Sequence, residues 1–250
     1  MKNFLQKRII ILILINAGMI KIYGQSGNTR FELGGNIGTF IYQGDLTPSH
    51  IGSIRTQKLG FNLFANKILN SSFSLRTNLA IGKLKGDDAK YANPAYRQQR
   101  NFNFTSPVVE ISEQLLWNLL GKNDDSKGLS PYLFAGVGYS FLHVKRDWSK
   151  FNAEYFAEAT EVLNGLTADL QHKLLKGIPV IPVGIGIGYA LSSKISISAE
   201  SSYRFISTDY LDGFSQATDP NKRDNYYSNS IGIIYRFGNK NKLKCPIIRK

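Results

Sequence analysis

Apolar residues alternate with small or polar ones through residues 183–205. Val183, Ile185, Ile187, Tyr189 and Leu191 hold one set of positions, and Gly184, Gly186, Gly188 and Ala190 hold the other. After Ser192-Ser193 the alternation resumes. Ile195, Ile197, Ala199, Tyr203 and Phe205 then stand against Lys194, Ser196, Ser198, Glu200, Ser202 and Arg204. Successive side chains of a strand point to opposite faces, so the stretch predicts a hairpin with one greasy face. The glycines do not form a dinucleotide-binding turn, which needs G-x-G-x-x-G between a strand and a helix. Here the third glycine comes one residue early, and no helical period follows.

The same period recurs near 30–42, 56–66, 72–83, 103–119, 131–144, 179–191, 194–206 and 226–237, predicting eight strands. In a soluble sandwich the apolar face would be the core and the polar face wet. Three features argue instead that the apolar face meets lipid. Many runs reach the roughly 9–11 residues with which a tilted strand crosses a bilayer. Connections alternate between short (67–71, 120–130, 192–193) and long (43–55, 84–102, 145–178, 207–225), the loop asymmetry of outer-membrane barrels. Trp117, Tyr189, Tyr235 and Phe237 stand near strand ends on the apolar parity, where interfacial aromatic girdles belong. The expected fold is an all-β, eight-stranded antiparallel transmembrane β-barrel with short periplasmic turns and long extracellular loops.

Closing the sheet turns the other parity into a lumen. An eight-stranded barrel is just wide enough for side chains to fill. The inward positions include Glu32, Arg76, Glu110, Glu200, Arg204 and Arg236, three acids and three arginines. Buried charges are costly unless paired, so these six are expected to form one paired network, with the glycines leaving room for them. Glu113 falls on the outward parity between Ile111 and Leu115. A bulge in the long fourth strand or a covering partner would each accommodate it.

The chain begins MKNFLQKR, continues with an apolar stretch over 9–20, and reaches Gly24-Gln25, the layout of a secretory signal peptide over 1–24. The barrel is assigned to 25–237 and a basic periplasmic tail to 238–250. The formal charge is +13. An exported protein whose basic residues are scattered, with no aromatic-interleaved stripe, is not a nucleic-acid binder. Cys245 is the single cysteine, and the three histidines, His50, His143 and His172, are far apart. Neither a thiolate metal site nor a cofactor site is expected. No small-molecule substrate is evident. Enzymatic activity is not expected either, because no nucleophile, base and orienter are grouped around His143.

The last strand contains "SIGIIYRF". Its Ser230, Gly232, Tyr235 and Phe237 resemble the signal read by the outer-membrane insertion machinery. Six stretches in order, "YQGDL" (42–46), "GKLKGDDAK" (82–90), "RNFNFTSPVVE" (100–110), "SPYLFAGVG" (130–138), "IPVGIGIGY" (181–189) and "STDYLD" (207–212), resemble a PorG-like family of small outer-membrane barrels, also catalogued as DUF6089. The resemblance implies residence among outer-membrane lipids of a Gram-negative envelope. It also implies association with type IX secretion, through contact with periplasmic ring subunits. The expected function is a non-enzymatic barrel that anchors or scaffolds a periplasmic secretion assembly. The alternative is a general envelope barrel for adhesion, membrane integrity or small-molecule passage.

Phe151, Tyr155, Phe156, Ala159, Val162, Leu163 and Leu166 approximate a helical period, predicting a short helix over the mouth. Asp45, Asp87, Asp88, Asp209 and Asp212 gather at the long-loop end. They are expected to pair with Lys90, Arg97, Arg100 or Arg146 rather than to hold calcium. In the tail, Lys240, Lys242, Lys244 and Cys245 are candidate contacts for a periplasmic partner.

Overall fold

The computed structural model describes residues 30–49, 51–123 and 128–237. The segment 1–24 expected to be a signal peptide, His50, and the expected tail with Lys240, Lys242, Lys244 and Cys245 lie outside the described residues. The strands are β1 (Arg30–Gln43), β2 (Lys58–Ile68), β3 (Phe73–Asp87), β4 (Asn103–Asn118), β5 (Gly128–Leu142), a short β6 (Lys145–Asp147), β7 (Gly177–Ala190), β8 (Ile195–Phe205) and β9 (Asn225–Phe237). Eight of them pair antiparallel around a closed ring in the order β1-β2-β3-β4-β5-β7-β8-β9, and β9 returns to β1. The three-residue β6 continues past the end of β5 and pairs with the start of β4. Closure leaves the eight long strands without a free edge.

Local chemistry sets the short turns. Asn70 Oδ1 accepts from the amides of Ser72 (2.9 Å) and Phe73 (2.8 Å), which fixes the β2–β3 turn. Ser192 Oγ does the same between β7 and β8, accepting from Lys194 and Ile195. The longer connections carry two helices, α1 (Tyr96–Arg100) and α2 (Thr160–Gln171). Asn101, in the left-handed region at φ 51°, ends α1.

The polarity of the fold is inverted relative to a soluble barrel. Outward residues stay exposed although apolar: Val137 at 68%, Ile231 at 65% and Leu63 at 61%. Inward ionic residues are buried: Arg76 at 1%, Glu110 at 0% and Arg204 at 2%. Aromatics bound the aliphatic wall at both ends. Phe31, Phe73, Trp117, Tyr189, Tyr235 and Phe237 ring the short-turn end, and Tyr139, Phe141, Tyr203, Phe205 and Tyr227 the long-loop end.

Three sequence expectations shift. β3 runs on through the "GKLKGD" segment to Asp87 instead of ending near 83, because Gly82, Leu84 and Gly86 keep the inward parity against β4. The helix of the β5–β7 connection starts at Thr160, after the aromatic cluster that the helical period places in its first turns. Phe151 and Phe156 are stacked on each other (5.2 Å) in the non-helical approach to it. No bulge turns Glu113 inward. β4 stays in continuous register, with Thr77 and Val137 flanking Glu113 on the outer wall. There Thr77 Oγ1 donates to Glu113 Oε1 at 2.7 Å.

Candidate functional site

The lower lumen holds one linked polar chain built from six strands. Arg236 on β9 donates to Glu32 Oε1 on β1 from Nη2 (2.8 Å) and Nε (2.9 Å). Glu32 Oε2 accepts from Asn66 Nδ2 (2.9 Å), and Asn66 Oδ1 accepts from Arg76 Nε (2.9 Å). Arg76 then crosses the bore to Glu200 on β8, 2.8 Å away. Glu200 also accepts from the Tyr132 hydroxyl. Each carboxylate thus meets an arginine and a neutral donor, and a fully satisfied network rigidifies its surroundings.

Higher in the bore, Glu110 pairs with Arg204 Nε (3.1 Å) and accepts from the Tyr226 hydroxyl (2.7 Å). Arg204 also donates to the Ser202 carbonyl (2.8 Å) and to Ser228 Oγ. The six charged residues singled out from the sequence therefore form three acid–arginine pairs in two clusters, rather than one network.

The glycines of β7 serve a neighbour that the periodicity did not reveal. A Cβ at Gly184 would run into the Phe134 ring, and one at Gly186 into Tyr132. With those rings flat against β7, aromatic faces surround Arg76. Its guanidinium lies 4.0 Å from the Phe64 centroid and 5.8 Å from those of Tyr132 and Phe134. Cation–π attraction adds to the ion pair in this desolvated setting.

Above the Glu110–Arg204 pair the lumen becomes apolar. Phe40, Tyr42, Leu84, Phe104, Val108, Leu142 and Tyr226 pack into one core with loop residues Leu46, Phe102, Leu166, Leu211 and Phe214. Phe102 and Phe214 stack at 4.4 Å. Buried side chains line the interior from the Glu32–Arg236 pair up to the loop cap. A polar recess of about 60 Å³ remains at the short-turn end, lined in part by Glu32, Arg76, Tyr132 and Arg236.

The long loops form an ordered cap tied by buried charges. Asp88 accepts from Arg97 Nη1 (2.8 Å) and Arg100 Nε (2.6 Å). Arg97 also donates to the carbonyls of Asp45 and Thr47, drawing in the β1–β2 loop. Asp87 pairs with Lys85, and Asp45 lies 3.6 Å from Lys222. Arg146 meets backbone carbonyls of Asp169, Leu170 and Gly213 rather than an acid. Two acids missed in the sequence organise the rest. Asp169 on α2 accepts from the amides of Ser215, Gln216 and Ala217. The Tyr42 hydroxyl lies 2.7 Å from Asp224 Oδ1 and 2.6 Å from Asp212 Oδ2 and has one proton to donate between them. No sequence signal marked these two, since their donors come from distant segments.

His143 is exposed on the outer wall, and His172 stacks on Tyr210 at 3.8 Å. Of the insertion-signal residues, Ser230 and Gly232 face the lumen beside Asn36. Tyr235 and Phe237 face outward with their rings edge-to-face at 4.7 Å.

Burial drives the carboxyl pKa values of Asp212 and Asp224 well above the usual range, and their mutual repulsion adds to the shift on Asp224. Burial likewise pushes Asp209 up to about 7. Such groups bind protons more tightly in the folded protein than in the unfolded chain. Their contribution to stability is fully present below the unfolded pKa, about 4. It is lost as pH rises through the higher folded value. Hydrogen exchange over 206–224, corrected for intrinsic rates, is expected to show stronger protection at pH 5 than at pH 8. Asp212→Asn should flatten that difference.

A closed eight-stranded antiparallel barrel with an apolar outer wall and a packed lumen is the class of protein that this fold and interior define. Residues 7–245 match the family model described as Domain of unknown function (DUF6089), and the chain belongs to that family. A comparison with curated proteins gives no match. Among solved structures the chain is similar to Ail, the attachment invasion locus protein of Yersinia pestis, at 11% identity over 84% of this chain and 99% of that one, with TM-score 0.46. It is similar to Neisserial surface protein A at 14% identity over 84% and 100%, with TM-score 0.46. It is also similar to OprG of Pseudomonas aeruginosa at 9% identity over 84% and 97%, with TM-score 0.44.

Proposed function

We propose that the protein is an outer-membrane barrel that works through its end surfaces rather than through a pore, and that its short-turn end anchors a periplasmic assembly for protein secretion of the type IX kind. The observation that carries the membrane reading is the exposed aliphatic wall between two aromatic girdles on a closed sheet. In water, such a continuous apolar surface would drive association. In a bilayer, closure satisfies the ladder hydrogen bonds that hydrocarbon cannot satisfy.

A filled lumen supports an anchoring role. The secretion role draws on the family-like stretches of the sequence and on the basic composition of residues 238–250, which follow β9 in the chain. A second reading, as an envelope protein acting at the cell exterior, draws on the ordered loop cap. The buried Asp88–Arg97–Arg100 and Asp169 contacts give that cap a fixed surface.

The test is to purify the full chain, and a version lacking 238–250, from outer membranes after cross-linking at Ser71 and Ser192 in the short turns. Periplasmic proteins are expected to be captured by the full chain and lost with the tail. Capture of nothing at these turns, with protein secretion intact after deletion of the whole chain, overturns the secretion role. In planar bilayers the purified barrel is expected to give no stepwise conductance.

A further inference from the structure

Outward residues on β3, β4 and β5 change character at one height. Register places Leu79 beside Ile111, and Ile81 beside Val109. Ile111 and Val109 in turn adjoin Tyr139 and Phe141 on β5. The next outward row contains Lys83 beside Pro107, with His143 held to Pro107 by a backbone hydrogen bond of 3.3 Å. The row above it reads Lys85, Thr105 and Lys145. Three lysines thus lie just above the apolar wall, two on β3 and one on β6, with β4 between them and neighbouring strands about 4.8 Å apart.

The wall below them, from Phe73 to Ile81 on β3, covers eight residue steps. At about 3.3 Å per residue and a tilt near 40° it spans about 20 Å of height, close to the apolar band of such barrels. The lysines therefore stand where headgroups begin. On β7, β8, β9 and β1 the outward strand residues near the long-loop end include Pro179, Ile181, Tyr203, Phe205, Tyr227 and Thr39, none of them charged.

We propose that Lys83, Lys85 and Lys145 form a docking surface for the phosphate groups of membrane lipids in the leaflet around the long-loop end. The inference rests on the membrane reading given above. Among the described residues Lys83 and Lys145 make no ion pair, and both are exposed. Lys85 is 2.9 Å from Asp87. An ammonium has three donors, so Lys85 keeps that pair while donating to a phosphate oxygen. Asp87 and Asp147 lie one row farther from the apolar wall, so they do not stand between the lysines and the headgroups. The flexible stems lie along the wall while the ammonium groups reach the interface, and Pro107 and Thr105 between them leave the space open.

The experiment reconstitutes the full chain and a Lys83→Gln/Lys85→Gln/Lys145→Gln variant into phosphatidylcholine vesicles containing a minor fraction of lipid A, either bis-phosphorylated or dephosphorylated. Flotation reports insertion, and native mass spectrometry of the extracted protein reports retained lipid. The full chain is expected to retain the phosphorylated form at least tenfold over the dephosphorylated form, and the variant to lose that preference while still floating. A Lys150→Gln/Lys173→Gln control, which removes two exposed loop lysines, is expected to keep it. Inorganic phosphate at millimolar concentration should not displace the lipid. Equal retention of both lipid forms, an unchanged preference in the triple variant, or displacement by inorganic phosphate overturns this inference alone. Failure of the full chain to float overturns the membrane reading and this inference with it.

Discussion

Replacing Glu110 with alanine is expected to destabilise the barrel by about 3–5 kcal/mol, the cost of breaking a buried ion pair from one side. Glu110 and Arg204 are 0% and 2% exposed, and they meet at 3.1 Å. The substitution leaves the guanidinium of Arg204 with only the Ser202 carbonyl and Ser228 hydroxyl as partners, beneath the Phe40 and Tyr226 rings. It also strips the Tyr226 hydroxyl of its carboxylate acceptor. Urea unfolding in detergent micelles measures the effect as a fall in midpoint. Glu154→Ala, at an exposed loop site, should move the midpoint by less than about 0.5 kcal/mol equivalent. A Glu110→Met/Arg204→Met double variant should recover much of the loss, since an apolar replacement of both partners leaves no uncompensated charge. If the double variant is as unstable as Glu110→Ala, the ion pair is not the source of the loss.

Asp88→Ala should have a comparable effect, of about 3–5 kcal/mol, confined to the cap. Asp88 is completely buried, and it neutralises two guanidinium groups that are themselves 6% and 5% exposed. Without it, Arg97 and Arg100 repel each other in a desolvated setting, and the β1–β2 loop loses its hold on α1 through the Asp45 and Thr47 carbonyls. Because these bonds lie outside the strand ladders, the barrel should remain folded while residues 88–102 become sensitive to protease. Asp88→Asn, which keeps one acceptor oxygen, should fall between the two. Unchanged proteolysis of 88–102 in Asp88→Ala would remove the cap from the list of structures held by buried charge.

The three lumen pairs illustrate how far each kind of information reaches. Sequence parity places all six charged residues on one face, because alternation is a local consequence of strand geometry. Which acid meets which arginine is not local. Glu32 and Arg236 are 204 residues apart, Arg76 and Glu200 are 124, and Glu110 and Arg204 are 94. Those partners are fixed by the order of strands around the ring, by their register, and by which side chains reach across the bore. The aromatic shell around Arg76 escaped the pattern for a related reason. Phe64, Tyr132 and Phe134 occupy inward positions that periodicity marks as polar or small, and only the facing glycines of β7 make room for two of them.

In the loops the balance tips further toward tertiary structure. The clustering of acids and arginines at the long-loop end was legible, as was the general place of a helix near residue 160. The fate of Asp169, Asp212 and Asp224 was not, because each is bound by groups from segments remote in sequence. Glu113 stayed outward because an unbroken β4 register left no extra residue to rotate it.

By itself, then, the sequence determined the strand period, the two faces, the alternation of short turns with long loops, and the inversion that leaves apolar side chains outside. These follow from backbone sterics and from which residues stand at every second position. Only the tertiary structure decided how the charges of the bore pair, which aromatic rings surround Arg76, and which buried contacts hold the loops of the cap together. Those depend on the short distances that ring closure imposes between residues far apart along the chain.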